Sequence, residues 1–300
     1  MSIVERALHK NKQLVKAAPG RMPDAEPVDP ALLTARDLKA LVEIDYERMR
    51  QLGRMPPLTS QLRVNEELRR IKWPLLKAIA GRGALAPPLR NNVVLITSAM
   101  PSEGKSFTAL NLALSIARDR DMRVVLVDGD VARPALTPAL GLDEREGLND
   151  VLEDPDRDVN DVIYRTSVEG LFFVPAGKWH DYSPELFSGP RMEQVLTNLS
   201  HRAGNGVVLL DSPPLLATNE AQAATGFVGQ VLLIVRADHT EQRAVLDALA
   251  LVDKSTPVNA VLNRVEPSIV SKYYGQYYYG YGSDKGYMYG RGETPGKEGS

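Results

Sequence analysis

Cysteine is absent from all 300 residues, which removes disulfide frameworks, iron–sulfur clusters, thiolate zinc sites and cysteine nucleophiles. Histidine is scarce too. The four present, His9, His180, His201 and His239, are scattered, and no pair has the spacing of metal ligands. Also missing is any run approaching the ~18 to 20 consecutive apolar residues of a membrane helix, so no transmembrane segment is expected. The first residues, MSIVERALHKNKQLVKAAPGR, lack a continuous apolar stretch and a small-residue cleavage site, which argues against a secretory signal and for a cytoplasmic chain. Nor does charge of one sign dominate: 36 basic against 38 acidic residues give a formal net of −2, unlike a protein whose main job is coating nucleic acid. What remains is a chain with 43% hydrophobic residues, long enough to bury one large core with an accessory segment.

Ser2 followed by Glu5 is a capping-box pattern, and Ile3, Ala7, Leu8, Leu14 and Val15 recur at roughly helical spacing, so a helix is expected over residues 2 to 17. Arg6, Lys10, Lys12 and Lys16 give it a basic face, equally suited to an anionic membrane, a partner or solvent. Four prolines in residues 19 to 30 mark a linker. Two more helical patterns follow, over 31 to 50 and 59 to 81. From Asn92 the texture changes. Apolar runs at 93–97, 124–127, 171–174, 207–210, 231–235 and 258–262 alternate with helix-length stretches, the pattern of a mostly parallel sheet with helices on both faces. After Pro267 aliphatic residues nearly vanish, and eight of the eleven tyrosines crowd between Tyr273 and Tyr289 among glycines. Such a segment cannot bury enough apolar surface to offset its ordering entropy, so a mobile tail is expected. The divisions expected are therefore 1–30, helix and linker; 31–91, a helical preface; 92–266, an α/β core; and 267–300, a tyrosine-rich tail.

The first apolar run leads through TSAMPSEGKSF into a helical pattern. A strand, a polar turn and Gly-Lys-Ser are the setting of a phosphate loop, in which backbone amides and a helix N-terminus surround phosphate, Lys105 reaches it, and the Ser106 hydroxyl holds Mg²⁺. The spacing G-x-x-x-x-G-K-S/T would put a glycine where Ala99 stands, so the bare pattern fails by one residue, while Gly104 is retained. VVLVDGDVARP places Asp128 and Asp130 just beyond a strand, and GVVLLDSPPLL delivers Asp211 to the same carboxyl edge, where open α/β sheets bind ligands. One such aspartate is as readily a turn residue. Three beside a phosphate loop form a constellation suited to holding Mg²⁺ and accepting a proton.

In these motifs the chain resembles the bacterial protein-tyrosine kinases of capsule and exopolysaccharide biosynthesis, the BY-kinases, over about residues 60 to 282, and within them the autokinases associated with exosortase-linked gene clusters. The resemblance implies a P-loop fold of the MinD/ParA type and an ATP site formed by Ser98, Ala99, Met100, Pro101, Ser102, Glu103, Gly104, Lys105, Ser106 and Phe107. Ser102 replaces the family's usual glycine. Asp128 is implied as the residue that aligns or deprotonates the acceptor tyrosine, and Ser106, Asp130 and Asp211 as the Mg²⁺ shell. Ala132 and Arg133 stand where many relatives have Arg then Lys. By analogy with related folds, Asn263 is expected near adenine. VNEELRRIKWPLL is similar to the Glu-x-x-Arg-x-x-Arg segment through which these kinases form rings, giving Glu66, Arg69 and Lys72. The tail corresponds to their autophosphorylated cluster: Tyr273, Tyr274, Tyr277, Tyr278, Tyr279, Tyr281, Tyr287 and Tyr289. A separate membrane activator of the chain-length-determinant kind, with recruitment to the inner face of the plasma membrane, is also implied.

Two other classes share the motifs. A partition or positioning ATPase has the same sheet but carries an early lysine in its phosphate loop, which Ser98-Ala99-Met100-Pro101 lacks, and it leaves the tyrosines unexplained. A catalytically idle nucleotide-binding scaffold for polysaccharide assembly accommodates Ser102 and Ala132. The scarcity of Arg and Lys among the tail's tyrosines weakens an RNA-binding reading.

Overall fold

The computed structural model describes residues 39–81, 91–181 and 183–266. The expected helix at 2–17, the linker and the tyrosine tail lie outside the described residues. Eight strands form one sheet: β1 Lys39–Val42, β2 Val93–Ser98, β3 Val124–Asp128, β4 Tyr164–Thr166, β5 Leu171–Val174, β6 Val207–Asp211, β7 Gln230–Arg236 and β8 Val258–Asn263. Their spatial order is β1-β4-β5-β3-β6-β2-β7-β8, and every neighbouring pair is parallel except β4 with β5. Strands β2, β3 and β6 are buried at every position. Their β-branched and leucine side chains feed two apolar layers, one on each face of the sheet, as parallel strands flanked by helices require. All six apolar runs read from the sequence are strands.

Helices α1 Tyr46–Gln51, α2 Gln61–Gly81 and α3 Lys105–Ala117 precede α4 Leu148–Glu153, α5 Ser183–Phe187, α6 Pro190–Ala203, α7 Asn219–Ala224 and α8 Gln242–Ala250. Helix α2 confirms the pattern at 59–81. It lies on α3 through buried Leu68 and Leu75, with Val64, Ile71, Leu76 and Ile79 packed against the same layer.

The single helix expected over 31–50 is corrected by the structure. Residues 39–42 are a strand that pairs with β4, and the helix begins only at Tyr46, capped by the Asp45 carboxylate, which accepts from the Glu47 and Arg48 amides. Exposed Leu41, buried Val42, exposed Glu43 and buried Ile44 alternate with a period of two, which overrides the helix-compatible composition. The preface therefore contributes an edge strand to the same sheet as the core. Strand β4 is three residues long and carries no periodic signal of its own.

Candidate active site

Register brings the acidic residues together. β3 and β6 pair residue for residue, so Asp128 lies directly beside Asp211 at the carboxyl edge, and Ile96 of β2 pairs with Asp211 on the other side. Gly129 makes the turn after Asp128 possible: its amide donates to the Asp211 carbonyl at 2.7 Å, and an added Cβ would meet that same oxygen at 2.7 Å. The end of β2 is tied to the segment after Asp211, with the Thr97 hydroxyl donating to the Pro213 carbonyl and the Leu215 amide to the Ser98 carbonyl, each at 2.8 Å.

The phosphate loop turns through Ser102 at φ 64° and Gly104 at φ 99°. Glycine suits the second position because a φ of 99° strains any L side chain, and a Cβ there would also crowd the Asn263 side-chain amide that braces the loop. Ser102 occupies a left-handed conformation that costs an L-residue about 1 kcal/mol, which gives the family's preference for glycine there a physical basis. Lys105 and Ser106 then open α3, so a helix N-terminus points into the loop.

Within the loop, the Glu103 side chain braces the backbone. Its carboxylate is buried. One oxygen accepts from the Met100 amide at 2.7 Å, and the other accepts from the Thr240 hydroxyl and from the Arg236 amide at 3.5 Å, so the loop is fastened to the segment between β7 and α8. The Asn263 side-chain amide donates to the Glu103 carbonyl at 2.8 Å, which fastens β8 to the loop as well. Thr240 and Arg236 carry no sequence signal of their own.

Asp128 is wholly buried. Its Oδ2 accepts from the Leu136 amide at 3.0 Å, the Thr137 amide at 2.7 Å and the Thr137 hydroxyl at 2.8 Å, whereas Oδ1 has no partner. One oxygen is thus held in place and the other is left to act. Burial pushes its pKa from 3.8 up to about 6, against the lowering effect of the Thr137 and Leu136 hydrogen bonds. Thr137 in turn receives the Ala176 amide at 2.9 Å, so the loop after β5 braces the carboxylate. Nothing in the sequence singled Thr137 out.

Asp211 is more exceptional. Both its oxygens are buried and neither finds a hydrogen bond of full geometry. Burial and then the Asp128 charge push its pKa up to about 8, with the Ser106 hydroxyl and the Lys105 ammonium acting in the opposite sense. Asp130 sits half-buried at the rim, its Oδ1 accepting from the Arg133 amide at 3.2 Å. Burial raises its pKa as well, opposed by Lys105 and Arg133. A buried carboxylate with two orphaned oxygens beside a serine hydroxyl is a hard-oxygen donor set, which fits a divalent cation such as Mg²⁺.

Lys72 is engaged within its own chain. Its ammonium pairs with Asp119 at 2.8 Å and donates to the Ser115 carbonyl at 3.1 Å, both on or next to α3, and its side chain is only 13% exposed. Glu66 and Arg69, in contrast, lie on the exposed side of α2. The eight tail tyrosines lie outside the described residues.

A parallel sheet with a phosphate loop after one central strand and register-paired aspartates on its neighbours defines a P-loop nucleotide-binding protein. In fold the chain is similar to the cell-division ATPase MinD of Pyrococcus furiosus, with a TM-score of 0.50 and 23% identity over 61% of this chain and 78% of that one. It is more similar to the BceF tyrosine kinase domain, with a TM-score of 0.57 and 28% identity over 75% of this chain and 92% of that structure. The tyrosine-protein kinase YwqD of Bacillus subtilis is 30% identical over 183 residues, covering 60% of this chain and 75% of YwqD. EpsB of Ralstonia nicotianae is 31% identical over 223 residues, which is 74% of this chain and 27% of EpsB. The chain thus spans about a quarter of the length of the first curated relatives that it matches. No family model matches it. On these grounds the chain belongs to the bacterial tyrosine-protein kinases.

Proposed function

We propose that this chain is an ATP-dependent tyrosine autokinase that phosphorylates its own C-terminal cluster, in trans between copies of an oligomer. The observation that carries this reading is the pair of buried strand-end carboxylates beside the Gly104-Lys105-Ser106 loop, one oriented with a single oxygen to spare and the other beside the Ser106 hydroxyl with no hydrogen bond of full geometry. Lys105 and the loop amides gather the charge of the triphosphate, and the transfer relies on positioning and charge neutralisation. Ser106 and Asp211, with Asp130 at the rim, would hold Mg²⁺, whose part is to neutralise charge on the phosphate oxygens. Asp128 accepts a hydrogen bond from the incoming tyrosine hydroxyl through Oδ1. Tyrosine has an ordinary pKa of about 10, so a carboxylate aligns the hydroxyl and takes its proton late. Asp128's raised pKa narrows that gap and makes it a better acceptor than an exposed aspartate.

Each phosphotyrosine adds about −1.5 to −2 charge. Accumulated charge on tails rich in Tyr273 to Tyr289 would drive copies apart, which gives a cycle of assembly and release. Exopolysaccharide assembly is the process such a cycle would regulate, with a membrane protein as activator and the inner membrane face as the working place. Among the described residues no helix is long and apolar enough to cross a membrane. The switch-ATPase reading leaves the tyrosines without a use, and the idle scaffold leaves Asp128's oriented carboxylate without one.

The test mixes a Lys105→Ala chain carrying an intact tail with a chain truncated after Glu266. Phosphotyrosine on the Lys105→Ala chain, formed only when Mg-ATP and the truncated chain are both present, is the expected result. Absence of phosphotyrosine in the mixture and in the unmodified chain alike would overturn the proposal.

A further inference from the structure

Asp128 stands between two loops, each of which presents an apolar side chain to solvent. Strand β3 lies between β5 and β6, and all three end at the same carboxyl edge. On the β6 side Leu216 is 37% exposed, its amide donating to the Ala99 carbonyl of the phosphate loop at 3.3 Å. On the β5 side Trp179 is 48% exposed. Neither belongs to the phosphate loop or to the carboxylates that fit a metal, although both loops border the carboxylate assigned to the acceptor hydroxyl.

The loop carrying Trp179 is fastened both to the site and to α4. Val174 pairs with Val127, so Pro175 begins the loop beside Asp128. The Ala176 amide donates to the Thr137 hydroxyl, which itself donates to Asp128 Oδ2. Against α4, the Pro175 carbonyl accepts from the Leu148 amide at 2.8 Å, the Ala176 carbonyl accepts from the Asn149 amide at 2.9 Å, and the Lys178 amide donates to the Asp150 carboxylate at 3.3 Å. Gly177, at φ 81°, lets the chain pass close to that carboxylate. His180 closes the loop, its amide donating to the Ser183 hydroxyl at 2.9 Å and its imidazole lying 3.2 Å from the Glu153 carboxylate. With the backbone fixed on both sides, Trp179 holds its ring half out of the fold, at most about 10 Å of chain from Ala176.

The tail carries a matching pattern. Tyr277, Tyr279 and Tyr281, and again Tyr287 and Tyr289, are two residues apart. In an extended segment such residues point to the same side, about 7 Å from one another. One ring can then bring its hydroxyl to Asp128 Oδ1 while the next lies over Trp179. Strand β8 runs parallel to the rest of the core and ends at this same edge, so the chain enters the tail on the side where the site opens. We infer that Trp179 is a specificity residue for the acceptor: its indole receives the ring of a second tail tyrosine, two positions from the one being phosphorylated, and so selects paired tyrosines over isolated ones. Aromatic pairs gain more than their buried area alone supplies, and tryptophan is enriched among the residues that dominate binding surfaces. The consequence for catalysis rests on the autokinase reading, whereas docking of the tail on Trp179 is a binding event that can be read without phosphate.

The first arm of the test measures initial rates with Mg-ATP, using a full-length donor whose eight tail tyrosines are all replaced by serine and synthetic peptides of residues 268–291 as acceptors. A peptide keeping Tyr277 and Tyr279 should have a KM at least about tenfold below that of a peptide keeping Tyr277 alone, or Tyr277 with Tyr278, whose rings point to opposite sides. In a Trp179→Ala donor that preference should shrink to within about threefold with kcat little changed, and Trp179→Phe should restore it. The second arm needs no turnover. With Trp73→Phe in the donor, Trp179 is the sole tryptophan. Its emission should change saturably on addition of the Tyr277/Tyr279 peptide and stay constant with an all-serine peptide. Emission that responds while no peptide is phosphorylated would support the docking site and sink the autokinase reading. A pair preference that survives Trp179→Ala, or emission indifferent to the paired peptide, would overturn the inference.

Discussion

Replacing Asp211 with asparagine should stabilise the protein in the absence of metal and nucleotide while abolishing its response to them. Asp211 is wholly buried, its oxygens make no hydrogen bond of full geometry, and burial and then the Asp128 charge push its pKa from 3.8 up to about 8. A carboxyl whose folded pKa is raised favours the folded state in its protonated form. The stability it supports is fully present below the unfolded pKa and is lost as pH rises through the window from about 4 to about 8. At pH 8 burying the group opposes folding by up to ~5 kcal/mol, from about four units at 1.36 kcal/mol each, and at pH 5, where the folded state holds it protonated, by only ~2 kcal/mol. Asparagine carries no charge at either pH and is nearly isosteric, so most of that opposition disappears. At ~2–4 °C per kcal/mol for a fold of this size, the variant should melt on the order of 10 °C above the parent at pH 8 with chelator present, and only a few degrees above it at pH 5. Adding Mg²⁺ with nucleotide should raise the parent's midpoint at pH 8 and leave the variant's almost unmoved. Differential scanning fluorimetry at the two pH values, with and without Mg-nucleotide, measures all of this. A variant less stable than the parent at pH 8, or a difference that does not grow with pH, would refute the reasoning.

Two further outcomes follow from the phosphate loop. Thr240→Val removes the hydroxyl that fastens Glu103 while leaving the Met100 amide bond in place, and should weaken ATP binding about tenfold with a midpoint shift under ~3 °C, measured by fluorescent-nucleotide titration beside a thermal melt. Ser102→Gly relieves the positive φ and should raise stability by about 0.5–1 kcal/mol in urea unfolding, with nucleotide binding unchanged or tighter.

The central sheet was legible because parallel strands buried on both faces must be continuous apolar runs. VVLITS, VVLVD and VVLLD can be little else between helix-length segments. The edge was not. Lys39-Ala-Leu-Val has a composition equally at home in a helix, and its identity as β1 depends on a partner, β4, that is three residues long and about 120 residues away. The same division runs through the site. Lys105, Asp128 and Asp211 sit at strand or helix ends where a motif can be read. Thr137, Thr240 and Arg236 act through tertiary hydrogen bonds that no local spacing encodes. Motif spacing picks out Glu103 and Lys72 but says nothing of what their side chains touch. Glu103 is held by the Met100 amide and the Thr240 hydroxyl, and Lys72 by Asp119.

The central claim, that the paired carboxylates and the phosphate loop transfer phosphate to the tail, is tested most directly by intact mass with phosphotyrosine mapping after incubation of the full chain with Mg-ATP. Lys105→Ala and Asp128→Asn chains serve as controls. Phosphate increments on Tyr273 to Tyr289 should vanish with Lys105→Ala and fall at least 100-fold in rate with Asp128→Asn. Nucleotide hydrolysis without any tyrosine phosphate, or increments that persist in the Lys105→Ala chain, would contradict it.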